Sequence, residues 1–308
     1  MTDLLAQLPQ DPMLERRRVV QATAAKTQRG RATRSSLFTT LLSACLALAV
    51  VPLFLVVAAL IVRGGKVITW TFLTQAPLQP TIFDQENIGG VGNAILGSLV
   101  VDGVAALIAV PLGIVLGLYL AETESRWANT LRSVTEIMTG LPSILLGIFA
   151  FIYVVTNMHT YSGLAASVAL AMLMTPVITK AAETALRSVP RTLTEAGLAL
   201  GARQSKVSLK VVLPVAAPGI ITGVLLALAR AIGETAPLLF VIGASIRYDW
   251  NPLHAMSALP LMTYQYSSAA YDSQHTAAWG VGLILVIIVL LLNISARLIS
   301  AFMRRERH

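Results

Sequence analysis

The sequence predicts an all-α, polytopic membrane protein with six transmembrane helices, and three observations support this fold class. Hydrophobic residues make up 56% of the 308 positions and charged residues only 12%, whereas soluble domains carry about 25% charged residues. The mean hydropathy of +0.73 would leave a soluble fold with too little polar surface. The apolar residues also form runs of about 20 residues, the length that a helix needs to cross the hydrocarbon core.

Six apolar segments satisfy this length, and we number them as spans one to six: about 38–62, 94–120, 137–157, 162–182, 207–234 and 277–301. Span one is too long for the apolar region of a signal peptide and has no small-residue cleavage site behind it, so we predict a helix there. Span four has Ala, Gly, Ser and Met where the other spans have Leu. Small residues let helices approach closely, so span four is predicted to lie inside the bundle.

The basic residues predict the orientation of the spans. Lys and Arg lie before span one, between spans two and three, between spans four and five, and after span six. The exceptions are Arg63, Lys66 and Arg247 on the other side and Arg230 within span five. Because basic residues concentrate in cytoplasmic loops, we expect both termini to lie in the cytoplasm. The expected location of the chain is a bacterial plasma (inner) membrane. The net charge of +8 could suggest a nucleic-acid partner, but the charges lie at the ends of apolar runs, so we predict contact with the lipid bilayer and no nucleic-acid partner.

The predicted organisation has three parts: a basic cytoplasmic arm over 1–35, a transmembrane domain over 36–303 and a cytoplasmic tail over 304–308. The arm is polar, so we expect it to be disordered or to form a surface helix. Long external segments are predicted at 63–93 and 235–276. The lone Cys45 excludes an internal disulfide, and no Cys/His cluster is present, so we predict no metal site and no cofactor.

The cytoplasmic segment 188–214 has the signals of a short helix. Thr192 and Glu195 have the spacing of a capping box, in which each side chain satisfies an orphan backbone N–H. Gly201 can end the helix in the left-handed conformation that glycine adopts cheaply. The predicted helix, 193–200, carries an apolar stripe formed by Leu193, Ala196, Ala199 and Leu200. A helix of this length is marginal alone, so we expect it to dock to another surface.

The same segment resembles the EAA loop of ABC-importer permeases, which has the form E-A-A-x₃-G-x₉-I-x-L-P. The positions that fall on this spacing are Glu195, Ala196, Gly197, Gly201, Val211, Leu213 and Pro214; Gly replaces the second Ala and Val the Ile. The resemblance implies a type I importer permease architecture and a short helix that inserts into a groove of the ATPase subunit. It assigns ATPase coupling to Leu193, Glu195, Ala196, Gly197, Leu200 and Gly201. The alternative, a capped and merely stable turn, leaves the cytoplasmic Leu193 and Leu200 unexplained.

The chain lacks the means to hydrolyse ATP. It has no G-x-x-x-x-G-K-[ST] loop, and the nearest string, Gly64-Gly65-Lys66, is badly spaced. We therefore predict a transport subunit without catalytic residues, and a dimer of separate ATP-binding subunits that performs the hydrolysis. Six spans would make half of a typical importer pore, so a second permease subunit, expected to be a different chain, is also implied.

A second resemblance concerns the substrate. The string Arg230-Ala-Ile-Gly-Glu234-Thr-Ala-Pro-Leu-Leu239 is similar to the corresponding stretch of phosphate-specific importer permeases. Further similarity lies in Val110-Pro111-Leu112-Gly113-Ile114, in Leu141-Pro142-Ser143-Ile144, and from Ala278-Trp279 to Asn293, so that it extends over about 67–297. The resemblance implies import of inorganic phosphate, delivered by a periplasmic or extracellular phosphate-binding protein.

The chemistry of these residues suits a phosphate pathway. A buried Arg presents a planar fork that can bind two phosphate oxygens. Gly233 removes a side chain beside Arg230, and Pro237 is expected to break the helix, so backbone groups could also face the pathway. We predict that Arg230, Glu234 and Asp102 line it; Asp102 could pair with Arg230 or lie in a wet cavity. The alternative for Arg230 and Glu234 is a structural ion pair that holds two helices together.

Three other functions stay open. A permease for another oxyanion, molybdate or sulfate, is weakly opposed by Glu234, since a carboxylate accepts a hydrogen bond from protonated phosphate but repels fully ionised sulfate. An ion-coupled secondary transporter would need internal repeats or several intramembrane acids, and only Asp102 and Glu234 are candidates. A membrane enzyme would need a nucleophile, base or metal cluster at membrane depth, and none is visible.

Overall fold

The computed structural model describes residues 12–78 and 89–305, with side chains over 35–78 and 89–299. Within these residues the regular structure is helical, apart from an isolated bridge between Pro77 and Gly89. The chain forms two compact units, Met1–Ala59 and Leu60–His308.

The first unit is a single long helix, α1, Pro12–Ala59. It runs without a break through residue 35, where the basic arm was predicted to give way to span one; residues 1–11 lie outside the described part. The apolar side chains from Leu37 to Val56 are exposed. Apart from Thr39, Thr40 and Ser43 this stretch is apolar, and a helix of about 20 such residues is long enough to cross the hydrocarbon core.

The second unit contains the other helices. They are α2, Trp70–Thr74; α3, Gly92–Glu122; α4, Arg126–Gly140; α5, Ser143–Ala150; α6, Thr156–Met158; α7, Gly163–Arg187; α8, Arg191–Ala199; α9, Gln204–Val207; α10, Leu213–Ile232; α11, Leu259–Ser267; and α12, Asp272–Arg305. Wider π-helical turns extend α1 over Leu60–Gly64, join α5 to α6 over Phe151–Val155, and join α9 to α10 over Ser208–Val212.

Five helices of the described residues are long and apolar enough to cross a membrane: Ser35–Gly64, Gly92–Glu122, Gly163–Arg187, Gln204–Ile232 and Asp272–Ile299. The sixth candidate is a pair, Arg126–Gly140 and Ser143–Met158, bent by 102°. The all-α, six-span prediction is confirmed if this pair counts as one span.

The bend divides the predicted third span, about 137–157, between the end of α4 and the apolar helix that starts at Ser143. Leu141 precedes a proline, and the proline ring disfavours helical backbone in the residue before it. Leu141 and Pro142 are both extended, with ψ of 139° and 129°. The polar helix α4 therefore ends at Gly140, and the apolar helix starts in a new direction.

Helix α7 is the most buried of the five unbroken spans: 61% of its most apolar stretch is buried, compared with at most 39% in the others. Small residues let two neighbours approach it closely. A Cβ on Gly113 or Gly117 of α3 would lie 2.7 Å from Ile178 or 2.6 Å from Ala182 of α7. A Cβ on Gly219 of α10 would lie 2.8 Å from Ala185. The prediction that span four lies inside the bundle is confirmed.

The segment after α10, which is predicted to lie on the external side of the membrane, packs in part into the core of the unit. Leu238, Val241 and Ile242 are almost fully buried. Carbonyl groups of the same segment accept hydrogen bonds from the first N–H groups of α7: Ser162 to Val241 at 3.0 Å, Gly163 to His254 at 2.9 Å and Leu164 to Pro252 at 2.6 Å. The hydroxyl of Ser162 caps Ala165 N–H at 3.2 Å. The buried start of α7 thus has partners for the donors that a helix leaves unsatisfied.

The contact between α3 and α7 can be tested with two substitutions on α3. Gly117→Leu should force the helices apart, since overpacking of this kind typically costs about 1–3 kcal/mol. Gly103→Leu is the matched control, because no atom lies within 4 Å of a Cβ at Gly103. We expect the melting temperature of the purified complex to fall for Gly117→Leu alone. Equal melting temperatures would contradict this packing.

Candidate functional site

Arg230 and Glu234 lie together where α10 ends. Arg230 occupies the last turn of α10, and Glu234 follows one turn later. Arg230 Nε and Glu234 Oε1 are 3.7 Å apart, and the two side chains are 51% and 20% exposed. The neighbours Ala229 and Ala231 are buried, so the guanidinium lies on the outside of the bundle. The structure brings together the two residues that the sequence paired.

The end of α10 positions this pair. The helix stops at Ile232, Gly233 is its C-cap, and the N–H of Glu234 donates to the carbonyl of Ala231 at 3.0 Å. Pro237 was predicted to break the helix, and this is wrong because α10 has already ended. Pro237 instead packs against α5: its Cα would lie 2.6 Å from a Cβ on Gly147. Gly147 thus lets the returning segment approach α5.

The Arg230 guanidinium makes only a loose ion pair with Glu234. Its contact with Glu234 at 3.7 Å is too long for a hydrogen bond. Among the hydrogen bonds of the described residues, none has Arg230 as a side-chain donor. An arginine fork with unused donors can take two oxygens of an oxyanion at once.

Asp102 lies on α3, and its side chain is buried. Its Oδ1 atom accepts no hydrogen bond within the described residues. The structure shows no ion pair between Asp102 and Arg230, so the pairing that we considered is not observed. A buried carboxylate oxygen without a protein partner is costly, which favours water beside it.

The predicted helix of the EAA loop is present as α8. It begins at Arg191 after Pro190, whose φ of −58° and ψ of 131° make it the N-cap without a side-chain hydrogen bond. The predicted capping box is therefore wrong, because Thr192 lies inside the first turn and Glu195 is too far along to reach the cap. The predicted end is confirmed: Gly201 has φ of +77°.

The backbone after α8 follows the pattern of a glycine-terminated helix. The N–H of Gly201 donates to Leu198 at 2.9 Å, and that of Ala202 donates to Gly197 at 3.4 Å. Gly197, which stands where the family motif has Ala, packs on Val207 of α9: an added Cβ would lie 2.9 Å from the Val207 methyl groups. This contact explains the departure from the motif.

The apolar stripe of α8 is solvent-exposed. Leu200 is 89% exposed, Leu193 is also exposed, and α8 has no buried residue. Beside it lies a groove of about 410 Å³ whose lining includes Arg187, Arg191 and Glu195. A short helix with exposed leucines and few contacts to its own bundle is suited to a partner.

A further charged cluster was not predicted. Glu183 of α7 contacts Arg132 of α4 and Arg187 of α7. From the sequence, both arginines are predicted only to be basic residues on the cytoplasmic side. The available signal was the Glu183–Arg187 spacing of four, with Glu first, which is the favourable order on a helix. The described residues contain no group of three His, Cys, Asp or Glu side chains that could hold a metal ion.

The chain is similar to known membrane transport proteins. The family described as "Binding-protein-dependent transport system inner membrane component" matches residues 109–305. Phosphate transport system permease protein PstA 1 of Mycobacterium tuberculosis is 34% identical and covers 90% of this chain and 92% of its own. PstA of Haemophilus influenzae is 36% identical, covering 78% and 84%. A probable PstA of Methanocaldococcus jannaschii is 34% identical, covering 87% and 94%.

Solved structures give the same architecture. A chain of the inward-facing MetNI methionine ABC transporter is 25% identical, has a TM-score of 0.55, and covers 68% of this chain and 94% of its own. A chain of a bacterial alginate ABC transporter, solved with a periplasmic protein, has a TM-score of 0.62 at 16% identity, covering 87% and 95%. The predicted ABC-importer permease architecture is confirmed.

The end of α8 can be tested at Gly201. Gly201→Val should fray the helix, because a left-handed backbone costs a side chain about 1–2 kcal/mol, more still when it is β-branched. Gly201→Asn is the control, since Asn tolerates this conformation. Hydrogen exchange of the peptide that covers α8 should be faster in the Val variant than in the Asn variant. Equal exchange would contradict the assigned helix end.

Proposed function

The chain belongs to the family of binding-protein-dependent transport system inner membrane components, and we propose that it is the permease subunit of an ATP-binding-cassette importer that moves inorganic phosphate into the cytoplasm. Its relatives, 34–36% identical over most of the chain, are phosphate transport permeases. The observation that carries the proposal is the Arg230 guanidinium, which lies near Glu234 and donates no side-chain hydrogen bond to any residue that the structure describes.

Arg230 acts on phosphate in transit. A charge at membrane depth costs about 2.5–3.5 kcal/mol by insertion scales and usually faces a wet cavity or a partner. The order Arg before Glu is the less favourable one for a helix pair, which argues against a purely local stabilising role. Glu234 balances the charge of Arg230 while the site is empty, so a departing anion does not leave an isolated cation behind.

Asp102 is the third residue of the proposed pathway. Its buried oxygen has no hydrogen-bond donor among the described residues, and water in the pathway would supply one. Gly233 adds no side chain beside Arg230, which keeps the approach to the guanidinium open.

The expected partners are inferred from two exposed surfaces of the second unit, one at α8 and one at Arg230. The exposed Leu193 and Leu200 of α8 dock in a groove of the ATP-binding subunit, which acts as a dimer and performs the hydrolysis. Arg230 lies on the outside of the bundle, so a second permease subunit, a different chain, supplies the other wall of the pathway. A periplasmic or extracellular phosphate-binding protein delivers the substrate, and both termini lie in the cytoplasm.

Phosphate uptake by reconstituted vesicles tests the substrate site. Arg230→Gln should abolish uptake at equal amounts of assembled complex. Arg230→Lys should also be poor, because a point charge cannot bind two oxygens as the fork does. Arg247→Gln removes another exposed arginine, outside the site, and should transport normally. Normal uptake by an Arg230→Gln, Glu234→Gln variant would show that the pair is structural. Equally fast uptake of sulfate or molybdate would overturn the phosphate assignment.

The docking of α8 is tested by introducing a glutamate on either side of the helix in two separate variants. Leu200→Glu places a carboxylate on the exposed stripe and should prevent co-purification of the ATP-binding subunit, because a buried unpaired charge is costly. Leu198→Glu makes the same change on the opposite side of α8 and should leave the complex intact. Equal recovery of the ATP-binding subunit with both variants would reject this contact.

A further inference from the structure

Three charged side chains form a compact cluster at the end of the bundle that carries α8, and we call it the Glu183 clamp. Arg132 Nε lies 2.7 Å from Glu183 Oε1, and Arg187 Nε lies 3.1 Å from the same oxygen. Glu183 is only 14% exposed. A single carboxylate oxygen therefore accepts a hydrogen bond from Arg132 of α4 and forms an ion pair with Arg187 of its own helix, α7.

The clamp also includes a third helix. The carbonyl of Leu120, in the last turn of α3, accepts from Arg132 at 2.7 Å and from Arg187 at 3.1 Å. Carbonyl groups in the last turn of a helix have no partner within it, and they attract cations. The two guanidinium groups thus bridge the end of α3, the face of α4 and the end of α7.

Both arginines depend on Glu183. Arg132 is oriented by a hydrogen bond from Nη1 to Asn129 Oδ1 at 2.8 Å. Each arginine donates a hydrogen bond to Leu120 and forms an ion pair with Glu183. Without the carboxylate, two cations would lie side by side on one neutral carbonyl and repel each other. Removal of Glu183 should therefore loosen all three helix contacts at once.

The clamp is directly connected to α8. Arg187 is the last residue of α7, and α8 begins at Arg191 after a connection of residues 188–190. Pro190 restricts the backbone of that connection. Arg187 also lines the groove that Glu195 of α8 lines. Because this connection is short and restricted, a displacement of α8 should also displace Arg187.

We propose that Glu183 is a positioning residue for coupled transport: with Arg132 and Arg187, it transmits movement of α8 to α3 and α4. This proposal rests on the proposed contact of α8 with an ATP-binding subunit. It assigns to Glu183 no contact with phosphate or ATP. It predicts that loss of the carboxylate separates ATP hydrolysis from uptake.

The test uses the complete complex in vesicles and measures phosphate taken up per ATP hydrolysed. Glu183→Gln should retain hydrolysis while this ratio falls about tenfold, within the usual range of coupling free energies. Glu136→Gln is the matched control, because Glu136 lines the same small cavity as Glu183 and Lys180 but is exposed and forms no ion pair within the described residues. Its ratio should equal that of the wild type.

A milder variant guards against misfolding. Arg132→Lys keeps the charge but cannot bridge Glu183 and Leu120 as the fork does, so it should assemble and show a lowered ratio. An unchanged ratio in Arg132→Lys and Glu183→Gln, or loss of assembly in Arg132→Lys, would overturn the proposal. The proposed function fails separately, through a wild-type complex that takes up no phosphate or a Leu200→Glu variant that still binds the ATP-binding subunit.

Discussion

The close approach of α3 and α10 to α7 is the constraint on which the rest of the second unit depends. Glycines on the two outer helices meet Ala and Ile side chains on α7 at distances that leave no room for a Cβ. Without a hydrophobic effect between helices in lipid, such close packing is a main source of association. The buried α7 then fixes both functional ends, since the returning segment after α10 covers its start and α8 follows its end.

The position of Arg230 on the outside of the bundle agrees with a subunit that forms one side of a pathway. The core of this chain is filled by α7, and Ala229 and Ala231 beside Arg230 pack into it. The guanidinium therefore points away from the core of this chain and toward its surroundings. At the other end, α8 also projects its leucines outward. Both proposed functional surfaces require neighbours, as expected for a subunit of a larger complex.

Sequence reasoning succeeded where a property is local or repeated. Apolar runs gave the spans, small residues identified the buried α7, and Gly201 gave the end of α8. Prediction from the sequence was wrong where one residue overrides its surroundings. Leu141 and Pro142 lie inside a run of residues whose average hydropathy indicates one continuous span. Pro190 starts α8 before the predicted capping box. The Glu183 clamp could not be predicted as a whole, because Arg132 lies 51 residues from Glu183, and Leu120 takes part through its backbone.

The hydrogen bonds at the start of α7 limit how the chain can move. The segment that follows Arg230 and Glu234 provides the carbonyl groups that Ser162, Gly163 and Leu164 need. A flap-like opening of this segment would leave those buried donors without partners. Helix α7, about 37 Å long from its 25 residues, also packs on α3 and α10 along its length. Any change of access at Arg230 is therefore expected to move α7 and the segment after α10 together.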